Sequence, residues 1–304
     1  METPTPVAQP SRPPLYHYSD AGGFIGMLTS RSLWFSHIKY LNDADEWFYA
    51  LRLFEQVLQE YNGFSNLRNP YDYIKGTSFL HNHFTFSFSE QKDLLSQWRG
   101  YCPNGGYSFC IEDWHLDQMA QEHGLVFEPC IYDEEEQKEF IRTRIIGIKP
   151  ESLAKQRESD NEQRAKGYHL RYDVDRITYD ISQGMIHKFK LLCLLKHPSF
   201  KEEREWRMVV SVGNNSKLRN SIKLRTSRNM LIPYIDLSIP AVIDALDENR
   251  PNDPRRSRWK IKEVVVGPQP HQELAIAACK LVIPPYIWNY PGAVISSAIP
   301  YVNW

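Results

Sequence analysis

The chain has 304 residues and balances 36 Lys+Arg against 37 Asp+Glu, a formal net charge of −1. Such a chain offers no net field to draw in nucleic acid or an anionic membrane, although a local basic patch is compatible with it. Hydrophobic residues at 42% and charged residues at 24% are the proportions of a soluble globular protein, which excludes disordered, collagen-like and coiled-coil classes for most of the chain.

Residues 1–14 hold five prolines and no apolar core, so they read as a flexible Pro-rich leader rather than a signal peptide. The fold is expected to begin at Leu15 and to continue as a single α+β domain, 15–304. Leu15–Tyr18 is the first strand candidate. Ser19 and Asp20 are good caps for an amphipathic helix through Phe24, Ile25 and Leu28, and Ser32–Ser36 follows as a second strand. Asn42-Asp43 precedes a longer helix in which Trp47, Leu51, Phe54 and Leu58 recur at helical spacing. From Asn82 to Ser89 the sequence alternates, predicting a strand with Phe84, Phe86 and Phe88 on an apolar back and His83, Thr85, Ser87 and Ser89 on a polar front. A short helix over Asp93–Arg99 and strands over Gly106–Ile111 and Leu125–Tyr132 come next.

Residues 133–190 then turn charged and helix-favouring, with Phe140, Ile145, Tyr172, Ile177, Ile181 and Ile186 as apolar markers. They predict a helical insertion at about 133–198, whose Glu134–Glu136 run is a solvated helix start rather than an acidic site. Strands return at Arg204–Ser211, Ile222–Leu224, Ile232–Leu237 and Ile261–Gly267. A loop over Asn249–Arg258, a helix over Gln272–Leu281 and a strand over Val294–Ile299 complete the reading. Its fold class is α+β, with one mixed or antiparallel sheet as core.

The longest apolar run, Leu191–Leu195, is far short of the ~20 residues of a membrane helix, so no membrane partner is expected. Cys102, Cys110, Cys130, Cys193 and Cys279 are an odd set with no C-x-x-C pair, which predicts buried reduced thiols and suits a cytoplasmic location. No G-x-G-x-x-G, Walker A or G-x-S-x-G sequence occurs; a Rossmann site, a P-loop and a hydrolase elbow are not expected. His81-x-His83 has a metal-compatible spacing but no third ligand beside it, and no metal is expected. Arg255, Arg256, Arg258 and Lys260 are a basic cluster that suits either a phosphate-contacting or a solvated loop.

Three segments carry candidate chemistry. His17 lies between Tyr16 and Tyr18, where its imidazole suits either a ribose hydroxyl or a neighbouring carbonyl. Glu203, Glu205 and Arg207 share a strand face if the strand starts near Glu203, with Trp206, Met208 and Val210 as buried company. That face is either an exposed salt-bridged edge or a catalytic pair with Arg207 holding a carboxylate ionised. Ser87 and Ser89 end a strand near Asp93, Trp98 and Tyr101, which makes either a cleft wall or ordinary packing.

The strings Leu15-Tyr16-His17-Tyr18, Leu33-Trp34-Phe35-Ser36, Leu41-Asn42-Asp43 with Glu46, Phe86-Ser87-Phe88-Ser89 and Trp98-x-x-Tyr101 resemble a large bacterial family of unknown function. The likeness resumes at Phe200-x-x-Glu203-x-Glu205-Trp206-Arg207, Val264-Val265-Val266-Gly267-Pro268 and Pro300-Tyr301. One departure is Val302, where the family pattern usually has an arginine. The layout is in turn similar to the ADP-ribosyltransferase superfamily, with its early-strand histidine, middle tyrosine and late-strand glutamate. This resemblance implies NAD as substrate and no metal, with Glu205, Glu203 and His17 as catalytic residues. It further implies His17, Tyr18, Ser36, Ser89, Trp98, Tyr101 and Arg207 as NAD contacts.

The implied reaction cleaves the nicotinamide–ribose bond and passes ADP-ribose to a macromolecular acceptor, protein or nucleic acid, in toxin or phage-defence biology. A carboxylate facing the ribosyl cation stabilises charge as the transition state develops. Two other classes stay open: a non-catalytic nucleotide-sensing or protein-interaction module, and a metal-dependent nuclease using Asp43, Glu46, Glu203 and Glu205.

Overall fold

The computed structural model describes residues 12–42, 45–60, 82–147, 155, 158, 162, 165–166, 187–213, 215–227, 230–239, 261–282 and 294–300. They form an α+β structure whose strands pair mostly antiparallel, with β9 and β10 parallel. The chain divides into two compact units. One comprises Met1–Ser32, Phe88–Glu122 and Ser238–Trp304; the other comprises Leu33–Ser87 and His123–Leu237. The expected leader lies outside the described residues up to residue 11. Its Arg12 donates to Asp117 Oδ1 at 2.8 Å. The basic cluster over 255–260, the markers Tyr172 to Ile186, and residues Asp43, His81, Tyr301 and Val302 also lie outside the described residues.

In the first unit, strand β4 (Tyr107–Ile111) is central. It is flanked by β1 (Tyr16–Ser19) and β9 (Ile261–Val266), and β10 (Val294–Ser296) follows β9. β1 pairs His17 with Phe109 and Tyr18 with Ser108. Because side chains alternate along a strand, Tyr16 and Tyr18 share one face while His17 takes the other. The Tyr16 and Tyr18 face packs with Trp98, Cys102, Cys110 and Val265. His17 instead meets Phe88 and Phe109 edge-on, with ring centroids 6.3 and 5.4 Å away.

Helix α1 (Ala21–Ser30) begins where the Asp20 side chain accepts from the Gly23 amide, and ends at Arg31 in the left-handed region, φ 53°. Gly267 donates from its amide to the Gly106 carbonyl at 2.8 Å. A Cβ on Gly267 would stand 2.7 Å from the Trp98 ring, so only glycine permits that approach. The short helix forms at Leu95–Tyr101, two residues later than the sequence predicts. Asp93 leaves the cap free to accept from Trp98 Nε1 (2.7 Å), Ser297 Oγ (2.6 Å) and the Ala298 amide (2.8 Å).

In the second unit, helix α2 (Glu46–Glu60) buries Trp47, Leu51, Phe54 and Leu58, the stripe its periodicity predicts. They pack with Ile141, Ile145, the run Leu191–Leu195 and Val209. The helix Glu134–Phe140 is capped by Asp133, and Glu134, Glu135 and Glu136 are exposed, as a solvated start requires. Strand β6 (Glu205–Ser211) pairs with β5 (Val126–Pro129) and β3 (His83–Ser89). β2 (Ser32–His37) pairs antiparallel with β3, and β7 (Lys223–Ser227) with β8 (Met230–Ser238).

Two strands differ from expectation. β3 keeps its alternation, but its polar face is buried at His83 (0% exposed) and Thr85 (2%). β6 begins at Glu205, because Arg204 adopts the left-handed region (φ 41°) and breaks the extended run. Glu203 therefore comes from the one-turn helix Pro198–Glu203 and not from the strand.

All five cysteines are free and buried, as the sequence predicts. Among the described residues, no helix is long and apolar enough to cross a membrane.

Candidate functional site

The residues with the most chemistry meet inside the second unit. Lys196 directly follows the apolar run Leu191–Leu195 and is 2% exposed. A buried ammonium needs carboxylate partners, and it has two. Its Nζ donates to Glu203 Oε2 at 2.6 Å and also to Glu205 Oε2. Arg207, two residues on along β6 and on the same face as Glu205, donates through Nε to Glu205 Oε1 at 2.6 Å and through Nη2 to Oε2 at 3.0 Å. Its Nη1 reaches Glu46 Oε1 and the Cys193 carbonyl. Glu46, in the first turn of α2, thus closes a chain of five charged groups from two distant stretches of sequence.

The surrounding backbone holds this chain in place. The Glu205 amide donates to the Tyr132 hydroxyl at 2.8 Å, and Gln137 Nε2 donates to the carbonyls of Ile131 and Lys196. The Lys196 ammonium also stands 5.1 Å over the Phe200 ring, a cation–π contact.

Three carboxylates face two cations, an excess of one negative charge. The two neighbouring glutamates respond in opposite directions. Burial raises the Glu203 carboxyl above the ordinary range, more than Lys196 lowers it. Burial also opposes ionisation of Glu205, but Arg207 and then Lys196 outweigh it and hold that carboxyl down at about 2. Protonating Glu203 alone balances the cluster. A neighbouring pair whose proton affinities are driven apart is the arrangement that separates acid from base roles in carboxylate enzymes.

The cluster overturns the exposed-edge reading of the Glu203–Arg207 stretch and shares with the other reading an Arg207 that holds a carboxylate, Glu205, ionised. It is no exposed edge: Glu205 is 3% and Arg207 1% exposed. Nor does Glu205 present a carboxylate to an open cleft, since Arg207 and Lys196 engage both its oxygens. Three of the four carboxylates in the nuclease reading do converge, but on an ammonium and a guanidinium. Among the described residues, no three His, Cys, Asp or Glu side chains form a metal-ligating group.

The other sequence candidates are placed separately. His17, Tyr18, Ser89, Trp98 and Tyr101 belong to the first unit, and Ser36 to the second. Tyr18 meets Trp98 at 4.6 Å between ring centroids, and Tyr101 packs on the same cluster. His17 points to the opposite face of β1, so the structure does not bring it to Trp98 and Tyr101. Trp98 is 0% exposed, which gives it no free face for a nicotinamide ring. The Tyr18 hydroxyl donates to the Gln91 carbonyl and accepts from the Leu94 amide. Ser89 Oγ accepts from the Gln91 amide, and Ser36 Oγ accepts from Arg225.

Sequence reasoning missed Lys196. Its signal is position: a lone cation closing an apolar run, seven residues before an E-x-E pair. Glu46 enters the sequence reading in the family resemblance and among the nuclease carboxylates, without the Arg207 partner the structure gives it.

A family model described as "Protein of unknown function (DUF2971)" matches residues 97–208, and over that stretch the chain is similar to this family. The matched stretch includes Lys196, Glu203, Glu205 and Arg207. No curated protein and no solved structure matches the chain.

Proposed function

We propose that the protein is an ADP-ribosyltransferase-like enzyme that takes NAD as substrate, with Glu203 as the carboxylate facing the reaction. The observation that supports this reading is the convergence of Glu203 and Glu205 on the Lys196 ammonium. Glu205, Arg207 and Glu46 serve as a fixed ionic floor. Glu203 is the least enclosed carboxylate of the cluster, at 8% exposed against 3% for Glu205 and Glu46. This departs from the usual superfamily assignment, in which the second glutamate is catalytic.

In the proposed reaction the bond between nicotinamide and ribose C1′ breaks and its electron pair leaves with nicotinamide. The acceptor's lone pair closes on C1′, and Glu203 takes the acceptor's proton. With Glu203 ionised the cluster carries one net negative charge, which stabilises the ribosyl cation only as it develops. The acceptor is a protein or a nucleic acid, and the five reduced cysteines suit a cytoplasmic setting. This version rests on the second unit's carboxylates and assigns no step to His17.

A second reading has its own support. Closure of Glu205 between two cations is equally the mark of a structural ion cluster in a non-catalytic binding module. Incubating the purified protein with NAD and measuring free nicotinamide separates the two. The enzyme reading expects steady release, and the module reading expects NAD or ADP-ribose binding by calorimetry with no release.

A further inference from the structure

Residues 212–236 carry five cations (Lys217, Arg219, Lys223, Arg225 and Arg228) against one acid, Asp236, in a chain whose overall charge is −1. Arg228 lies outside the described residues. Lys217, Arg219 and Lys223 are exposed. Lys223 pairs with Asp236 at 2.6 Å at the surface, a contact that water and salt screen.

The β7–β8 register sets Lys223 opposite Tyr234 and Arg225 opposite Ile232. Arg225 Nη2 donates to Ser36 Oγ at 3.0 Å, and the Trp34 and Tyr234 rings stand 5.3 Å apart. Trp34 and Ser36 are two residues apart on β2 and so share a face. β8 also pairs with β2, and one face of β2–β8–β7 therefore carries two half-buried aromatic rings beside two cations and one acid, Asp236. The exposed Leu224 and Leu231 project from the other face of the hairpin, out of step with Lys223 and Arg225.

We infer that this face is a docking surface for single-stranded nucleic acid. Such surfaces combine cations that track the phosphates with aromatic rings on which bases stack, and both elements lie here together. An anionic membrane would instead need the apolar and cationic side chains to point the same way; of the exposed apolar residues of the hairpin only Met230 shares the cation face, while Leu224 and Leu231 point away from it. The inference is independent of the NAD reading, because it concerns other residues and its test contains no NAD.

The test is fluorescence anisotropy of the full chain with labelled mixed-sequence DNA and RNA single strands of about 16 nucleotides. Binding should weaken about tenfold or more between about 50 and 200 mM salt, as release of counterions from neutralised phosphates requires. The Lys217→Gln/Arg219→Gln/Lys223→Gln variant should lose about tenfold in affinity at low salt and show a flatter salt dependence. Trp34→Leu, or Tyr234→Leu if the first fails to fold, should weaken binding without altering the salt slope. The inference is overturned if the strands do not bind, if the triple variant binds as wild type does, or if both aromatic variants retain full affinity. Association with phosphatidylserine vesicles in place of the oligonucleotides also overturns it.

Discussion

Arg207 grips Glu205 from two residues along the same strand, through Nε at 2.6 Å and Nη2 at 3.0 Å. A carboxylate held by two guanidinium nitrogens has little rotational freedom, and Lys196 takes up what remains. Glu205 is therefore the carboxyl its cations hold below the ordinary value, and Glu203 the one that burial raises.

Removing the guanidinium strands two buried acids. Arg207→Met leaves Glu205 with Lys196 alone and takes the partner from Glu46. Breaking a buried charged pair from one side typically costs about 3–5 kcal/mol. Urea unfolding of Arg207→Met should show a loss of that order, whereas a loss under about 1 kcal/mol would contradict the burial of the cluster.

Acid should undo the same contact. The folded Glu205 carboxyl lies at about 2, below its ordinary value of 4.5. Its contribution is fully present above the unfolded value and is lost as pH falls from about 4.5 toward about 2. Glu203 has the opposite sign: its raised value means that the folded state loses stability as pH rises above the ordinary carboxyl range. Thermal unfolding scanned downward from neutral pH should show a steep fall in that acid window. The slope should flatten in Glu205→Gln, and an unchanged slope would show that another group controls it.

Much of this architecture is legible in the sequence. Among the described residues each strand overlaps a stretch the sequence predicts as extended, with β6 shortened to Glu205–Ser211 and β7 shifted to Lys223–Ser227, and α2 buries its periodic stripe. Three things were hidden. The left-handed Arg204 shifts Glu203 off the strand, and nothing in an arginine's chemistry announces a positive φ. Alternation was read as apolar-in and polar-out, yet Glu205, Arg207, His83 and Thr85 are buried. Partners from distant segments let charged and polar groups leave water, and periodicity carries no trace of those partners. The helix Asp113–Glu122 was passed over because its buried residues, His115, Leu116 and Met119, form too sparse a stripe in a polar segment.

In the first unit, the approach of Gly267 to Trp98 gives a prediction of another kind. A methyl group at Gly267 would stand 2.7 and 2.8 Å from two Trp98 ring carbons and 3.1 Å from the Gly106 carbonyl oxygen. The ring is fully enclosed and cannot yield. Overpacking of this sort costs about 1–3 kcal/mol, so Gly267→Ala should lower the unfolding midpoint. A midpoint equal to wild type would show that the β9 end and the Leu95–Tyr101 helix can separate freely.

The central claim concerns Glu203, and nicotinamide release from NAD tests it most directly when wild type and Glu203→Gln are measured side by side. Without Glu203, two cations face two carboxylates, so the variant should unfold at or above the wild-type midpoint. The account predicts that wild type releases nicotinamide and that the folded variant is slower by on the order of a hundred- to a thousandfold. Equal release by the two proteins, or no release by wild type, would contradict it.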